Sequence, residues 1–368
     1  MESVIILAAR LTALKTMTAL PNNSTDSSSR NSGSWLTAIG VSTAALIAAA
    51  KLGRRVRHPV HLRGKVALIT GGSRGLGLAL AHELGTYGCR VALVARDERE
   101  LEEAANRLRA KGIEAAVFPC DITNESALNP LIDRVTSQFG RIDILVNDAG
   151  LIKVAPLESL EHGDFEQAMD LMFWAPVNLT LAVLPRMNQQ SEAHIVNITS
   201  VGARVSVPHL IPYSCAKFAF LAFSTGLSSE LDPHKVHVLT VVPGLMRTGS
   251  YLHAAFKGAA EREFAWFSIL GNLPGATVSA EYAARAIRES LQRRQLTCTI
   301  SLPAKLLIHS EALMPEATRA AMQFASRFLL PSSSKRATKA GKALNPKFGR
   351  LFQALTILGR TAAAALNE

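Results

Sequence analysis

Tyr213 and Lys217 stand four residues apart in a stretch of helical periodicity, so both project from one helix face. That pairing suits proton transfer to a developing alkoxide. A tyrosine has an ordinary pKa of about 10, and a neighbouring ammonium favours the phenolate and lowers it. Ser200 follows a β-branched run at 195–199, where its hydroxyl can hold a substrate oxygen from the other side. A second group lies upstream. The run Thr70-Gly71-Gly72-Ser73-Arg74-Gly75-Leu76-Gly77 follows the apolar stretch 66–69 and precedes a helix-like stretch. Such a turn brings backbone N–H groups and the positive end of a helix dipole up to a pair of phosphates. Gly71 permits the turn, Gly75 lets the backbone approach the pyrophosphate, and Gly77 lets helix and strand pack closely. Arg96 stands at the end of the second strand, where the ribose-reading residue of a dinucleotide fold belongs. A guanidinium there suits the 2′-phosphate of NADP, with Arg74 as a second cation, whereas an acid would bind the 2′-hydroxyl of NAD. Arg96 reads also as a solvated charge paired with Asp97 or Glu98.

These groups need a scaffold that gathers the ends of several strands. The sequence predicts strands at 65–70, 90–95, 114–119, 142–147, 193–199, 236–242 and 297–302. Helices are expected at 75–87, 98–111, 125–139, 164–189, 211–231 and 279–293. Short β-branched runs alternating with helices imply an α/β fold, a doubly wound parallel sheet of Rossmann type covered on both faces. One catalytic domain at 64–303 is expected, with appendages at both ends. Residues 1–34 form an apolar then polar tail, 35–50 a candidate membrane helix, 51–63 a basic linker and 304–368 a basic extension.

Charge separates the core from its tails. Residues 1–65 carry nine Lys/Arg against two acids and 317–368 nine against one, which leaves 66–316 at a net −4. This argues against a nucleic-acid groove in the domain and for contact with an anionic surface, although solvated tails would look the same. Residues 31–50 carry no charge and precede Lys51, Arg54, Arg55, Arg57, Arg63 and Lys65. About twenty such residues reach across a bilayer core, and the basic flank would hold the domain on the cytoplasmic side. A peripheral helix, a cleaved targeting segment or a soluble cytoplasmic protein are the alternatives. Cys89, Cys120, Cys215 and Cys298 lie far apart with no ligand spacing, so neither zinc nor a disulfide framework is expected; they read as small core residues.

Taken together, TGGSRGLG (70–77), Asp121 after the third strand, VNDAG (146–150), Ser200, YSCAK (213–217) and PGLMRT (243–248) resemble the short-chain dehydrogenase/reductase family over about 64–303. The resemblance implies Tyr213 as acid/base, Lys217 as tuner of the phenol and ribose ligand, and Ser200 as carbonyl orienter. It assigns Gly71, Ser73, Arg74, Gly75, Leu76, Gly77, Arg96 and Ile122 to the cofactor, with Asp121 at the adenine. Asn147, Ala149 and Gly150 would line the cofactor cleft, and Thr248 would hold the nicotinamide carboxamide after the Pro243-Gly244 turn. Two departures stand out. Asp148 replaces the second asparagine of the usual Asn-Asn-Ala-Gly. Met172 falls where an asparagine normally supports a water relay to the lysine, and Asn178 lies on another helical face.

Residues 245–275 replace regular structure with a segment containing Phe256, Phe264, Trp266, Phe267 and Leu270, whose aromatic density suits an apolar ligand or plain packing. The expectation is therefore an NADP(H)-dependent carbonyl reductase or alcohol dehydrogenase. Its partner is an apolar small molecule, with no metal and no nucleic acid, and it is expected to form a homo-oligomer. The alternative is a catalytically weak NADP(H)-binding scaffold or redox sensor.

Overall fold

The computed structural model describes residues 59–345 and 348–368. Contacts divide the chain into two units, Met1–Arg57 and His58–Glu368, and the described residues belong to the second. The membrane segment expected at 35–50, and four of the six cations of its basic flank, Lys51, Arg54, Arg55 and Arg57, lie outside them.

Seven strands form one parallel sheet: β1 Val66–Thr70, β2 Arg90–Ala95, β3 Ala115–Pro119, β4 Ile144–Asn147, β5 Ala193–Ile198, β6 Val236–Pro243 and β7 Thr297–Ile300. Their spatial order is β3-β2-β1-β4-β5-β6-β7, with Ile69 opposite Leu93 on one side and Leu68 opposite Leu145 on the other. The strands are parallel, but the order in which they are added reverses between β1 and β4, which opens a crevice at their carboxyl ends. Strand β1 is buried throughout because both faces are covered. On one face α1 Gly75–Thr86, α2 Glu98–Arg109 and α8 Ala280–Gln292 enclose a core around Ile69, Leu93 and Leu239. On the other, α3 Leu128–Phe139 and α5 Ala175–Met187 enclose one around Leu68, Leu145 and Ile195.

Local sequence explains the helices. Asp97 caps α2 by accepting from the Glu100 N–H at 3.0 Å, and Leu101, Ala104, Ala105 and Leu108 bury its apolar stripe. The helix expected at 164–189 is not continuous: α4 His162–Met169 passes through a π turn, Asp170–Trp174, into α5. Pro176 is the cause. It lacks an N–H, and its ring crowds the carbonyl four residues back, that of Met172. This 26-residue run is apolar and long enough to cross a membrane, yet it packs against the sheet and against α6 Ile211–Glu230 as a core helix.

One expectation is corrected. Residues 245–275 are not irregular throughout, since they hold α7 Ala260–Leu270 and the short strands Met246–Arg247 and Ala255–Phe256. Part of the extension expected at 304–368 packs on the domain. Lys339–Ala340 pairs with Ala255–Phe256, and the helix Ile357–Ala365 lies on the domain, with Ala363 and Leu366 buried. Among the described residues α9 Leu302–Leu313 and α10 Pro315–Phe324 bury just Ala304 and Thr318 between them, and the π turn Ala325–Leu329 that follows buries none.

Candidate active site

The carboxyl ends of β1, β2, β4, β5 and β6 surround a groove of about 920 Å³. Gly71 and Gly75 both take positive φ, and a Cβ on Gly77 would collide with the Gly71 carbonyl oxygen, so helix and strand meet only if that residue is glycine. Thr70 ties this loop to its neighbour: its Oγ1 donates to Val146 O at 3.2 Å and accepts from the N–H groups of Asp148 and Ala149. Ser73, Arg74, Leu76, Arg96, Asp121, Ile122, Ala149, Gly150, Pro243, Gly244 and Thr248 all line the groove. The glycine cradle and this lining fit a dinucleotide.

Not every assignment keeps its expected place. Asn147 is buried behind the groove wall, where its Nδ2 donates to Asn197 Oδ1 at 2.9 Å and Thr180 Oγ1 at 3.1 Å. Asn197 in turn donates to Ser224 Oγ at 3.0 Å, and Ser224 pairs with Thr240 at 2.7 Å. This buried chain joins β4, β5, α6 and β6, and so fixes the helix that carries Tyr213 and Lys217. Arg74 does not face an open phosphate site. Glu100 holds its guanidinium at 2.8 and 3.1 Å, with Glu368 3.7 Å away. Arg96 is exposed at the groove edge and forms no salt bridge among the described residues, so neither Asp97 nor Glu98 neutralises it.

Ser200, Tyr213 and Lys217 converge at one end of the groove. The Tyr213 hydroxyl is hydrogen-bonded to Ser200, whose Oγ also accepts from the Gly202 N–H at 3.0 Å. Lys217 Nζ donates to Ile198 O at 2.8 Å and lies 6.0 Å from the Tyr213 ring centroid. The expected lowering of the phenol pKa is reversed here: burial pushes Tyr213 up, and Asp148 adds to this, against the Ser200 bond. Burial pushes Lys217 down and Asp148 up, the two groups facing each other across the groove. Met172 is fully buried against Ala168, Ala216 and Tyr213, where its thioether donates nothing.

Beyond Tyr213 a second, apolar cavity of about 180 Å³ opens. Val207, Leu210, Met246, Trp266, Phe267 and Leu270 line it, and Ser200 and Tyr213 belong to both spaces. Helix α7 is clamped over it by Glu263, which is fully buried, pairs with His209 Nδ1 at 2.8 Å and accepts from Trp266 Nε1 at 2.6 Å. Of the cysteines, Cys89, Cys120 and Cys298 are core residues as expected, while Cys215 is exposed on α6.

The family described as short chain dehydrogenase matches residues 65–254, just over half of the chain. The chain belongs to that family, oxidoreductases built on a dinucleotide cofactor. A fatty acyl-CoA reductase of Acinetobacter baylyi is 37% identical over 190 residues, 51% of this chain and 64% of that protein, so the match spans less than two thirds of the relative. A short-chain dehydrogenase from Streptomyces avermitilis is 28% identical with a TM-score of 0.60, covering 72% of this chain and 97% of that one. A gluconate 5-dehydrogenase from Burkholderia cenocepacia, solved with NADP and tartrate, is 25% identical with a TM-score of 0.58, covering 67% and 98%.

Four groups in or beside the site were missed. Glu100, His253 and Glu368 line the groove without belonging to a motif, and Glu263 sits far from the catalytic run. Asp148 carried a signal, as a carboxylate where an amide is usual, but its facing of Lys217 is a tertiary fact.

Proposed function

We propose that this protein is an NADP(H)-preferring carbonyl reductase, or the matching alcohol dehydrogenase, acting on an apolar ketone or secondary alcohol. The observation that carries this reading is the meeting of a polar groove and an apolar cavity at Ser200 and Tyr213. The dinucleotide, when bound, supplies the hydride chemistry. Gly71, Ser73, Gly75, Leu76 and Gly77 would hold its phosphates, Asp121 and Ile122 its adenine, and Ala149, Gly150, Pro243, Gly244 and Thr248 its nicotinamide half. Asn147 supports this wall from behind. Arg96, which forms no salt bridge among the described residues although its charge helps to hold the Asp121 carboxyl low, is the cation left for a 2′-phosphate. The Burkholderia relative's NADP supports the cofactor assignment, and the Acinetobacter relative's name supports an apolar substrate.

On this reading Ser200 orients the carbonyl oxygen and Tyr213 gives that oxygen its proton. Burial keeps the phenol protonated across the neutral range, which suits an acid in the direction of reduction. Lys217, anchored on Ile198 O, contributes a positive charge beside the groove and stabilises the phenolate left behind. The rival scaffold or redox-sensor reading draws on Met172, which removes the usual water support.

A panel of carbonyl compounds of graded apolar size, followed by nicotinamide absorbance with each dinucleotide, tests the proposal. Turnover is expected with NADPH in preference to NADH, and Arg96→Asp should weaken NADPH by a few kcal/mol at most. Equal use of NADH by the wild type would defeat the phosphate assignment, and tight binding without turnover would favour the scaffold.

We place the protein at the cytoplasmic face of a membrane. Support comes from the uncharged 31–50 segment and from α9, α10 and the π turn Ala325–Leu329 after them, where Leu313 is 77% and Phe328 65% exposed, with Arg319 and Arg327 in the same stretch.

A further inference from the structure

Glu368 is a carboxylate in the groove that belongs to no motif. Beyond the helix Ile357–Ala365 the chain lies across the glycine loop. The Gly75 N–H donates to Leu366 O at 2.9 Å, and Asn367 Nδ2 donates to Ser73 O at 3.1 Å and Glu100 O at 3.3 Å. Arg107 donates to Ala364 O at 3.1 Å, and Leu366 is buried in the core. These bonds leave Glu368 little choice of position. Its side chain is 4% exposed, and its Oε1 lies 2.8 Å from where a Cβ on Gly75 would stand. Glu368 Oε2 is 3.7 Å from Arg74 Nε and 3.5 Å from His253 Nε2.

The Gly75 backbone and the positive end of α1 are what a pyrophosphate would use. We propose that Glu368 sets the affinity of this groove for its dinucleotide. Its carboxylate and the pyrophosphate compete for the same helix end and the same Arg74. Tight binding then requires Glu368 to be neutral or residues 366–368 to swing away. This inference rests on the dinucleotide reading above.

The sign of the pH dependence follows from what faces Glu368. Burial dominates and pushes its carboxyl up to about 7; Arg74 and Lys342 oppose this, while Glu100 and Asp148 add to it. His253, held down to about 4 by burial, is neutral throughout this range. Below pH about 7 Glu368 is therefore uncharged, and above it a negative charge meets the phosphates, so affinity falls as pH rises. Asp148 is raised by its own burial and moves in the same sense, so the decisive quantity is the difference between wild type and Glu368→Gln.

The test is equilibrium titration of the full chain and of Glu368→Gln with NADPH and NADH, at about pH 6 and about pH 8. The variant should bind about tenfold more tightly than wild type at the higher pH and about equally at the lower one. A chain ending at Ala363 removes the carboxylate together with its latch and should bind at least as tightly as the variant. Equal affinities of wild type and Glu368→Gln at both pH values would overturn the proposal. Absence of binding in every variant at both pH values would overturn the dinucleotide reading beneath it, an outcome distinct from equal affinities.

Discussion

Met172 is the residue on which the local chemistry turns. It is sealed among Ala168, Ala216 and Tyr213, and it offers a weak acceptor and no donor where the family resemblance implies an amide. If proton resupply through Lys217 limits turnover, Met172→Asn should raise kcat severalfold with little change in NADPH affinity. An unchanged or lowered kcat, in a variant that folds and binds cofactor normally, would mean that the proton travels another way. Residue identities at the site were legible because the chemistry constrains spacing: Tyr213 and Lys217 share a helix face, and Ser200 ends a strand. Their protonation was not legible. A nearby ammonium argues for a lowered phenol pKa, but burial and Asp148, which only the folded chain brings together, win over it.

Elements were legible where period and caps agree. All seven main strands fall within two residues of expectation at each end, and α2 declares itself through Asp97, its buried stripe and its Gly112 exit. The π turn was missed because a proline four residues past Met172 is compatible with either a kink or a new helix. Helix α7 was missed because its apolar residues serve both the core and the cavity, which blurs a single stripe. The α9–α10 hairpin makes its own prediction. Leu302, Leu306, Leu313, Met314, Phe324 and Phe328 are all more than half exposed, with Lys305, Arg319 and Arg327 on the same two helices and the turn after them. A chain starting at Val60, lacking the uncharged segment, should float with anionic vesicles, and Leu313→Asp together with Phe328→Asp should release it. Recovery of the parent chain wholly in the soluble fraction would refute the hairpin's part in membrane contact.

At the scale of the molecule, the fold class was written in the alternation of strands and helices, but the path of residues 341–368 was not. No local signal says that Leu366 enters the core beside α1, or that Glu368 comes to rest nearly three hundred residues away in sequence against Gly75. Such contacts depend on which surface a late segment finds left uncovered, and that is decided only after the sheet and its helices have formed. The assembled unit brings a polar groove along the carboxyl ends of the sheet against an apolar cavity beneath α7, and Tyr213 is among the few side chains that line both. The central claim, that this tyrosine delivers the proton at the junction, is tested most directly by Tyr213→Phe. Removing the hydroxyl takes away an interaction made in the transition state while leaving the ring in its packing. With a carbonyl substrate that the wild type reduces, the variant should lose turnover by a factor of about a thousand or more while its NADPH titration stays within about twofold of wild type. Turnover within tenfold of wild type, at normal cofactor affinity, would contradict the account.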